Sequence, residues 1–220
     1  MKPPEYKRKI VYLIRHGQSI DNAAPVFQGF TSPLSPKGLE QAGQIAQRLA
    51  ESSIEVVISS PLPRAKQTAE AIAKMNGRRI ETSDLFVERI KPSALAGKAW
   101  DDLEATTLWR EWDASLYTPG LRVRDGENYD DILARVDKAL AYLNARPESS
   151  MAVVSHGYFL RSIVARVLLG THQTGDLMKR IQRLASVDNT GITVIEYKDA
   201  FEEDFCWRLR TYNDYAHFTD

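Results

Sequence analysis

Reactive side chains stand at the ends of three apolar runs. Val11-Tyr12-Leu13-Ile14 ends in Arg15-His16-Gly17, and Met151-Ala152-Val153-Val154 ends in Ser155-His156-Gly157. A third run, residues 54–58, ends in Ser59-Ser60-Pro61, with Arg64 following at the start of a helical pattern. A short apolar run closed by Gly or Pro reads as a buried strand entering a turn. In an open α/β sheet, ligands sit just outside the carboxyl ends of the strands. If these ends share one edge, two arginines and two histidines converge there. Such a group suits a tetrahedral anion, because guanidinium binds phosphate through paired, directional hydrogen bonds. Helix N-termini at the same edge would add amide donors. A neutral imidazole is a nucleophile, and nearby arginines disfavour its protonation. Covalent catalysis then splits one hard step into two. A second histidine could spread the charge developing on the transferred group.

The rest of the chain must position those ends. Residues 1–9 read as a tail, 10–14 as the first strand and 17–34 as a long loop. Ser35-Pro36 reads as a helix start, with Leu39, Ala42, Ala46 and Leu49 on the inward face. Residues 54–59 form a strand and residues 63–75 a helix, with Ala65, Ala69, Ile72 and Ala73 inward and Asn76-Gly77 as its stop. A short strand covers 80–82. Residues 88–125 form an irregular, partly helical insertion over the active edge. It carries Trp100, Trp109 and Trp112 among basic residues, and these rings either stack on a ligand or pack on the core. Tyr129, Ile132, Leu133, Val136, Leu140 and Leu143 mark a long amphipathic helix. A strand at 151–155, helices at 158–169 and 174–184, and strands at 191–197 and 205–210 follow. Alternating strands and helices predict a three-layer α/β/α fold with a mostly parallel central sheet, in one domain spanning 1–220.

Bulk properties narrow the function classes. The 220 residues carry 29 Lys+Arg and 29 Asp+Glu, so no global charge points to a nucleic acid polymer or a membrane. The single cysteine, Cys206, excludes an intrachain disulfide and fits a reducing compartment. The first nine residues lack the apolar core of a signal peptide, and no apolar run reaches membrane-spanning length. A cytoplasmic protein is expected. No Cys/His spacing calls for a metal, and no cofactor is expected.

The ordered motifs resemble the histidine phosphatases, the superfamily that includes the cofactor-dependent phosphoglycerate mutases. The resemblance starts at Leu13-Ile14-Arg15-His16-Gly17-Gln18-Ser19 with Asn22. It continues through Leu34-Ser35-Pro36-Lys37-Gly38, the run from Ser59 to Thr68, Glu88, Gly126-Glu127 and Ser155-His156-Gly157, and reaches Asn189-Thr190-Gly191-Ile192-Thr193. It implies His16 as the phosphorylated nucleophile, Arg15, Arg64 and His156 as the phosphate pocket, and Glu88 as proton donor and acceptor. It also implies Asn22, Gln28 and Gly29 on the substrate side, and Gly157 is counted with them. The residues alone leave other readings open. Arg64 could be an exposed helix-start residue, and Glu88 could pair with Arg89 at the surface. Asn22 could be a turn former, and Glu127 an acidic first-turn residue.

Two departures from the mutase pattern bear on activity. Position 18 is Gln where mutases usually carry Glu. The stretch from Arg89 to Lys98 lacks the mutases' tyrosine-containing continuation, and no paired arginines followed by a proline run are present. The expectation is therefore a metal-independent phosphomonoester hydrolase acting through phosphohistidine on a small phosphorylated metabolite or a phosphoprotein. The rivals are a phosphoglycerate-type mutase and a catalytically silent module that binds phosphorylated ligands. Oligomeric state is not legible.

Overall fold

In the computed structural model, residues 7–23, 27, 29–199 and 206–217 are described, with residues 22 and 23 as backbone only. Six strands and six α-helices are found among them: β1 (Arg8–Arg15), α1 (Pro36–Arg48), β2 (Val56–Ser59), α2 (Pro63–Asn76), β3 (Ile80–Thr82), α3 (Leu103–Ser115), α4 (Tyr129–Ala145), β4 (Ser150–Ser155), α5 (Gly157–Leu169), α6 (Gly175–Leu184), β5 (Ile192–Lys198) and β6 (Trp207–Asp214). The sheet order is β3-β2-β4-β1-β5-β6. The β2–β3, β2–β4 and β1–β4 pairings are parallel, and β5 is antiparallel to both neighbours. The expected mostly parallel sheet is therefore present.

Alternation along the strands builds the three layers. Val11, Leu13, Val56, Ile58, Met151 and Val153 face one side, in one core with Ile132 and Val136 of α4 and Phe159 and Ile163 of α5. Ile14, Val57, Ala152 and Val154 face the other, in one core with Ile45 and Ala46 of α1 and Ala65, Ala69 and Ile72 of α2. Successive strand residues point to opposite faces, so each strand feeds both cores. Among the described residues no helix is long and apolar enough to cross a membrane.

This arrangement creates the crevice the site needs. In register, Arg15 lies opposite Ser155 and Ser59 lies opposite Val154. The ends of β2, β4 and β1 are thus level and adjacent. The helices that follow β1 and β4 pack on opposite faces of the sheet. Neighbouring strands whose helices diverge in this way leave a topological switch point, where α/β folds bind ligands.

Several expectations need correction. Strand β1 begins at Arg8, not at residue 10, and Lys9 is buried with its ammonium on the carbonyls of Arg146 and Glu148 (2.5 and 2.7 Å). The tail is accordingly shorter than 1–9, and residues 1–6 lie outside the described ones. Ser35 caps α1 as expected, accepting from the Gly38 amide. Leu39, however, is 54% exposed. Gly38 turns inward in its place, because a Cβ there would lie 2.0 Å from the Gln18 carbonyl. The 88–125 segment is partly helical. It contains α3, capped by Asp102, whose Trp112 is fully buried in the core. Trp112 donates from Nε1 to the Glu127 carbonyl (2.8 Å), Trp109 stacks near Phe27, and Trp100 is exposed. The last strand runs Trp207–Asp214, and residue 205 lies outside the described residues.

Candidate active site

His16 follows the last residue of β1 and is buried. Its Nδ1 lies 2.6 Å from the Gly17 carbonyl. A carbonyl only accepts, so Nδ1 carries the hydrogen. That assignment leaves the lone pair on Nε2, which accepts from Arg64 Nε at 3.2 Å. Burial first, then His156, Arg64 and Arg15, hold the imidazole pKa well below its ordinary value, although the Gly17 carbonyl acts the other way. The ring is therefore neutral at physiological pH.

The loop is held by backbone contacts. The His16 amide donates to Ser155 O, Asn189 Nδ2 donates to His16 O, and the Gly17 amide donates to Thr68 Oγ1. A Cβ on Gly17 would lie 2.6 Å from Gly38 O, so only glycine fits there.

His156 stands at the N-cap of α5, with its ring centroid 4.9 Å from that of His16. Its Nε2 is 2.8 Å from Ser60 Oγ, which in turn accepts from the Leu62 amide. Burial first, then Arg64 and Arg15, hold its pKa well below the usual histidine range. Arg64, in the first turn of α2, is buried rather than exposed. It also donates to Gly29 O (3.2 Å), and the Gly29 amide donates to Asp21 (3.1 Å). Burial lowers its pKa to about 10, which leaves it a cation. Arg15 donates to Val187 O (2.6 Å) and lies beside Gly157, where a Cβ would meet its guanidinium. Among the described residues, Arg15 Nε and His156 Nδ1 are buried without a hydrogen-bond partner. Two unsatisfied polar atoms in one crevice fit a ligand bearing acceptor oxygens.

Glu88 is not half of a surface pair with Arg89. The Arg89 guanidinium instead bonds Asp113 (3.4 Å) and stacks over Trp112 and Tyr158. The Glu88 carboxylate accepts from the amides of Arg89 (2.9 Å), Tyr158 and Phe159 (3.3 Å each). Burial pushes its pKa up, but Arg89, the amides and Arg64 outweigh that and hold it below the ordinary carboxylate range. The α5 amides expected to be offered to an anion are therefore engaged by Glu88. Arg135 of α4 grips the flanking backbone, donating to Leu85 O and Val87 O (3.1 and 2.8 Å) while pairing with Glu127 (2.7 Å). Glu127 precedes Asn128, the N-cap of α4, so it is not a first-turn residue as one reading allowed; its carboxylate instead accepts from the Ile90 amide. A cavity of about 150 Å³ adjoins this group, lined in part by Gly29, Arg64, Glu88 and Lys91.

The structure thus brings together Arg15, His16, Arg64, Glu88 and His156, with Gly29 and Gly157 at their edge. The Asn22 side chain and Gln28 lie outside the described residues. Asp21, Ser60, Asn189 and Arg135 had no assigned role from sequence. Ser60 and Asn189 sat inside recognised motifs, whereas Arg135 carried no signal. Chemically, the group offers a neutral imidazole lone pair, a buried and a half-buried guanidinium, and an ionised carboxylate around one crevice.

The family model of the histidine phosphatase superfamily, branch 1, matches residues 11–214. The chain belongs to that superfamily. A curated relative from Salmonella arizonae, named probable phosphoglycerate mutase GpmB, is 33% identical over 210 residues, covering 94% of each chain. Solved structures resemble it in fold. The α-ribazole phosphatase from Shigella flexneri superposes with a TM-score of 0.76 at 23% identity, covering 93% of this chain and 96% of that one. A mycobacterial glucosyl-3-phosphoglycerate phosphatase gives 0.70 at 23% identity, covering 94% and 99%. Members of the superfamily are phosphatases and mutases, and these named neighbours act on small phosphorylated metabolites.

Proposed function

We propose that the protein is a phosphomonoester hydrolase that works through a phosphohistidine on His16. The observation that carries this reading is the tautomer: Nδ1 donates to Gly17 O and leaves the Nε2 lone pair beside Arg64. Nε2 attacks phosphorus in line, the ester P–O bond breaks, and Glu88 protonates the departing oxygen. Water then attacks phosphorus, its proton passes to Glu88, and the N–P electron pair returns to Nε2. Arg15, Arg64 and His156 hold the equatorial oxygens. When the Ser60 hydroxyl donates to His156 Nε2, Nδ1 carries a hydrogen and can donate to the phosphoryl group. Arg64 must trade its bond to His16 for a phosphoryl oxygen before attack, so ligand binding itself releases the nucleophile.

Glu88 enters the cycle ionised, because three amides and nearby arginines stabilise the carboxylate. Glu88 must therefore take up a proton as the substrate binds, and it passes the proton gained from water to phosphate or solvent when the cycle closes. Either the ester binds as its monoanion, or the phosphoryl charge raises the carboxyl pKa on binding.

The name of the curated relatives favours a second reading, a phosphoglycerate-type mutase. The segment after Glu88 lacks the residues that would retain a bisphosphate, which supports water as the acceptor. A silent binding module has no need of both a nucleophile and an acid. A cytoplasmic setting and a single-domain organisation, with the 88–125 segment over the active edge, belong to the same proposal. The deciding experiment measures phosphate release from phosphorylated metabolites and a phosphopeptide, with isomerisation of 3-phosphoglycerate followed in parallel. Phosphate release without isomerisation is expected. Efficient conversion to 2-phosphoglycerate would overturn the hydrolase reading.

A further inference from the structure

Glu88 stands on a segment that no regular element supports. A short 3-10 turn covers Asp84–Phe86, and residues 87–92 belong to no helix or strand. Backbone polar groups outside helices and sheets need other partners. Here one ion pair supplies most of them. Arg135, in α4, uses all five of its N–H groups. Nη1 donates to Leu85 O and Val87 O, and Nη2 donates to Glu88 O (3.5 Å). Nε and Nη2 donate to the two carboxylate oxygens of Glu127 (2.8 and 2.7 Å). Glu127 holds the same segment beyond Glu88. Its carboxylate accepts from the Ile90 amide, and its own amide donates to Ile90 O (2.8 Å each). Only 12% of each side chain of the pair is exposed. The Arg135 guanidinium also lies over the Phe159 ring, 4.1 Å from its centroid, and the Phe159 amide is one of the donors to the Glu88 carboxylate.

Resting on the hydrolase reading, we propose that Arg135 and Glu127 are positioning residues that fix the Glu88 carboxylate in place for proton transfer. Their contacts bracket Glu88. The carbonyls of Leu85, Val87 and Glu88 are held on one side and both backbone groups of Ile90 on the other. A core helix thereby sets the course of the segment that carries the acid. The planar fork suits this task, since a lysine ammonium has three donors and cannot grip carbonyls and carboxylate together. Proton transfer depends on hydrogen-bond reach, and a misplacement of about 1 Å costs roughly 10²-fold in rate. Phosphate binding rests instead on Arg15, Arg64 and His156, which stand on other elements.

The test separates position from packing. Arg135→Lys loses the fork but keeps the positive charge that helps to depress the His156 pKa. Rapid mixing with p-nitrophenyl phosphate reads phosphorylation of His16 as nitrophenol release. Loss of the phosphoryl label during a chase reads attack by water. In Arg135→Lys the release rate should stay within about twofold of the wild type, because the aryl oxide departs without a proton. Loss of the label should slow by roughly 10- to 10²-fold. In a Glu88→Gln background the same substitution should add less than about twofold, because the group it positions is already gone. Glu127→Gln can keep the Ile90 contact and breaks one bond to Arg135, so it should slow the same step by a smaller factor. It decides alone if Arg135→Lys does not fold. Both steps slowed alike, or losses that multiply with that of Glu88→Gln, would reduce the pair to a packing role and overturn the proposal, with the hydrolase reading left standing. An unchanged water step in the folded variants would overturn it as well. Absence of any aryl phosphate hydrolysis by the wild type would instead overturn the hydrolase reading.

Discussion

Replacing Glu88 with glutamine separates its chemical role from its structural one. One carboxylate oxygen accepts from the Arg89 and Phe159 amides and the other from the Tyr158 amide. A glutamine carbonyl can keep the first pair, but its NH₂ then faces the Tyr158 donor. One unsatisfied partly buried donor costs about 1–3 kcal/mol. Loss of a negative charge at the α5 N-terminus adds about 0.3–1 kcal/mol. Glu88→Gln should therefore unfold about 1–4 kcal/mol more easily at neutral pH. The pH dependence has a definite sign. A carboxylate held below its ordinary range stabilises the fold above the unfolded-state pKa, near ~4.3, and that contribution is lost as pH falls through the folded value. The stability gap between wild type and variant should thus close in acid. Kinetically, an activated aryl phosphate departs without needing a proton, so only attack by water should suffer. Rapid mixing of Glu88→Gln with p-nitrophenyl phosphate should give a stoichiometric burst of nitrophenol, then a steady state slower by roughly 10²–10⁴-fold. A lost burst in a folded variant would place Glu88 in phosphate positioning and refute the proton-transfer argument. A stability gap that persisted unchanged at low pH would refute the ionised state assigned to it.

Three further outcomes are expected. His16→Ala should abolish turnover, and the quenched wild-type protein should carry an acid-labile, base-stable phosphoryl group that maps by mass spectrometry to His16; a map to His156 would reverse the two roles. Vanadate, which adopts the geometry of in-line transfer, should inhibit strongly, and chelators should leave the rate unchanged; activity lost on chelation and restored by a divalent ion would contradict the arginine-based site. Because burial and the arginines depress both histidine pKa values, the unfolded chain binds more protons than the folded one below the ordinary histidine pKa, ~6.5. Thermal stability should therefore fall as pH drops from that value, and His156→Asn should flatten the dependence.

How much of this was legible in the sequence depends on whether a residue announces its neighbours. His16, Ser60 and His156 follow apolar runs, and runs of that kind end together in a parallel sheet, so their convergence could be read before any coordinates. Arg64 became legible only through the motif around it, since an arginine in a first helical turn is ordinarily exposed. Leu39 misled because periodicity ranks apolar residues above glycine. What decided the α1 face was the approach of Gly38 to the Gln18 backbone, a contact with no compositional trace. Helix α3 was blurred because Leu103 and Leu108 do not share the deep burial of Trp112, so its apolar stripe is thin.

The largest illegible part is the setting of Glu88. Its partners are backbone amides of α5, and its backbone is gripped by Arg135 from α4, far along the chain. The same helix N-terminus could have served either the ligand or the carboxylate, and sequence alone assigns it to the ligand. In the folded chain it serves the carboxylate. Anion affinity must then come from Arg15, Arg64 and the histidines, while the helix dipole keeps Glu88 ready as a base. A site divided in this way equips Glu88 to deprotonate the oxygen that attacks the phosphohistidine, which in the proposed hydrolase is that of water.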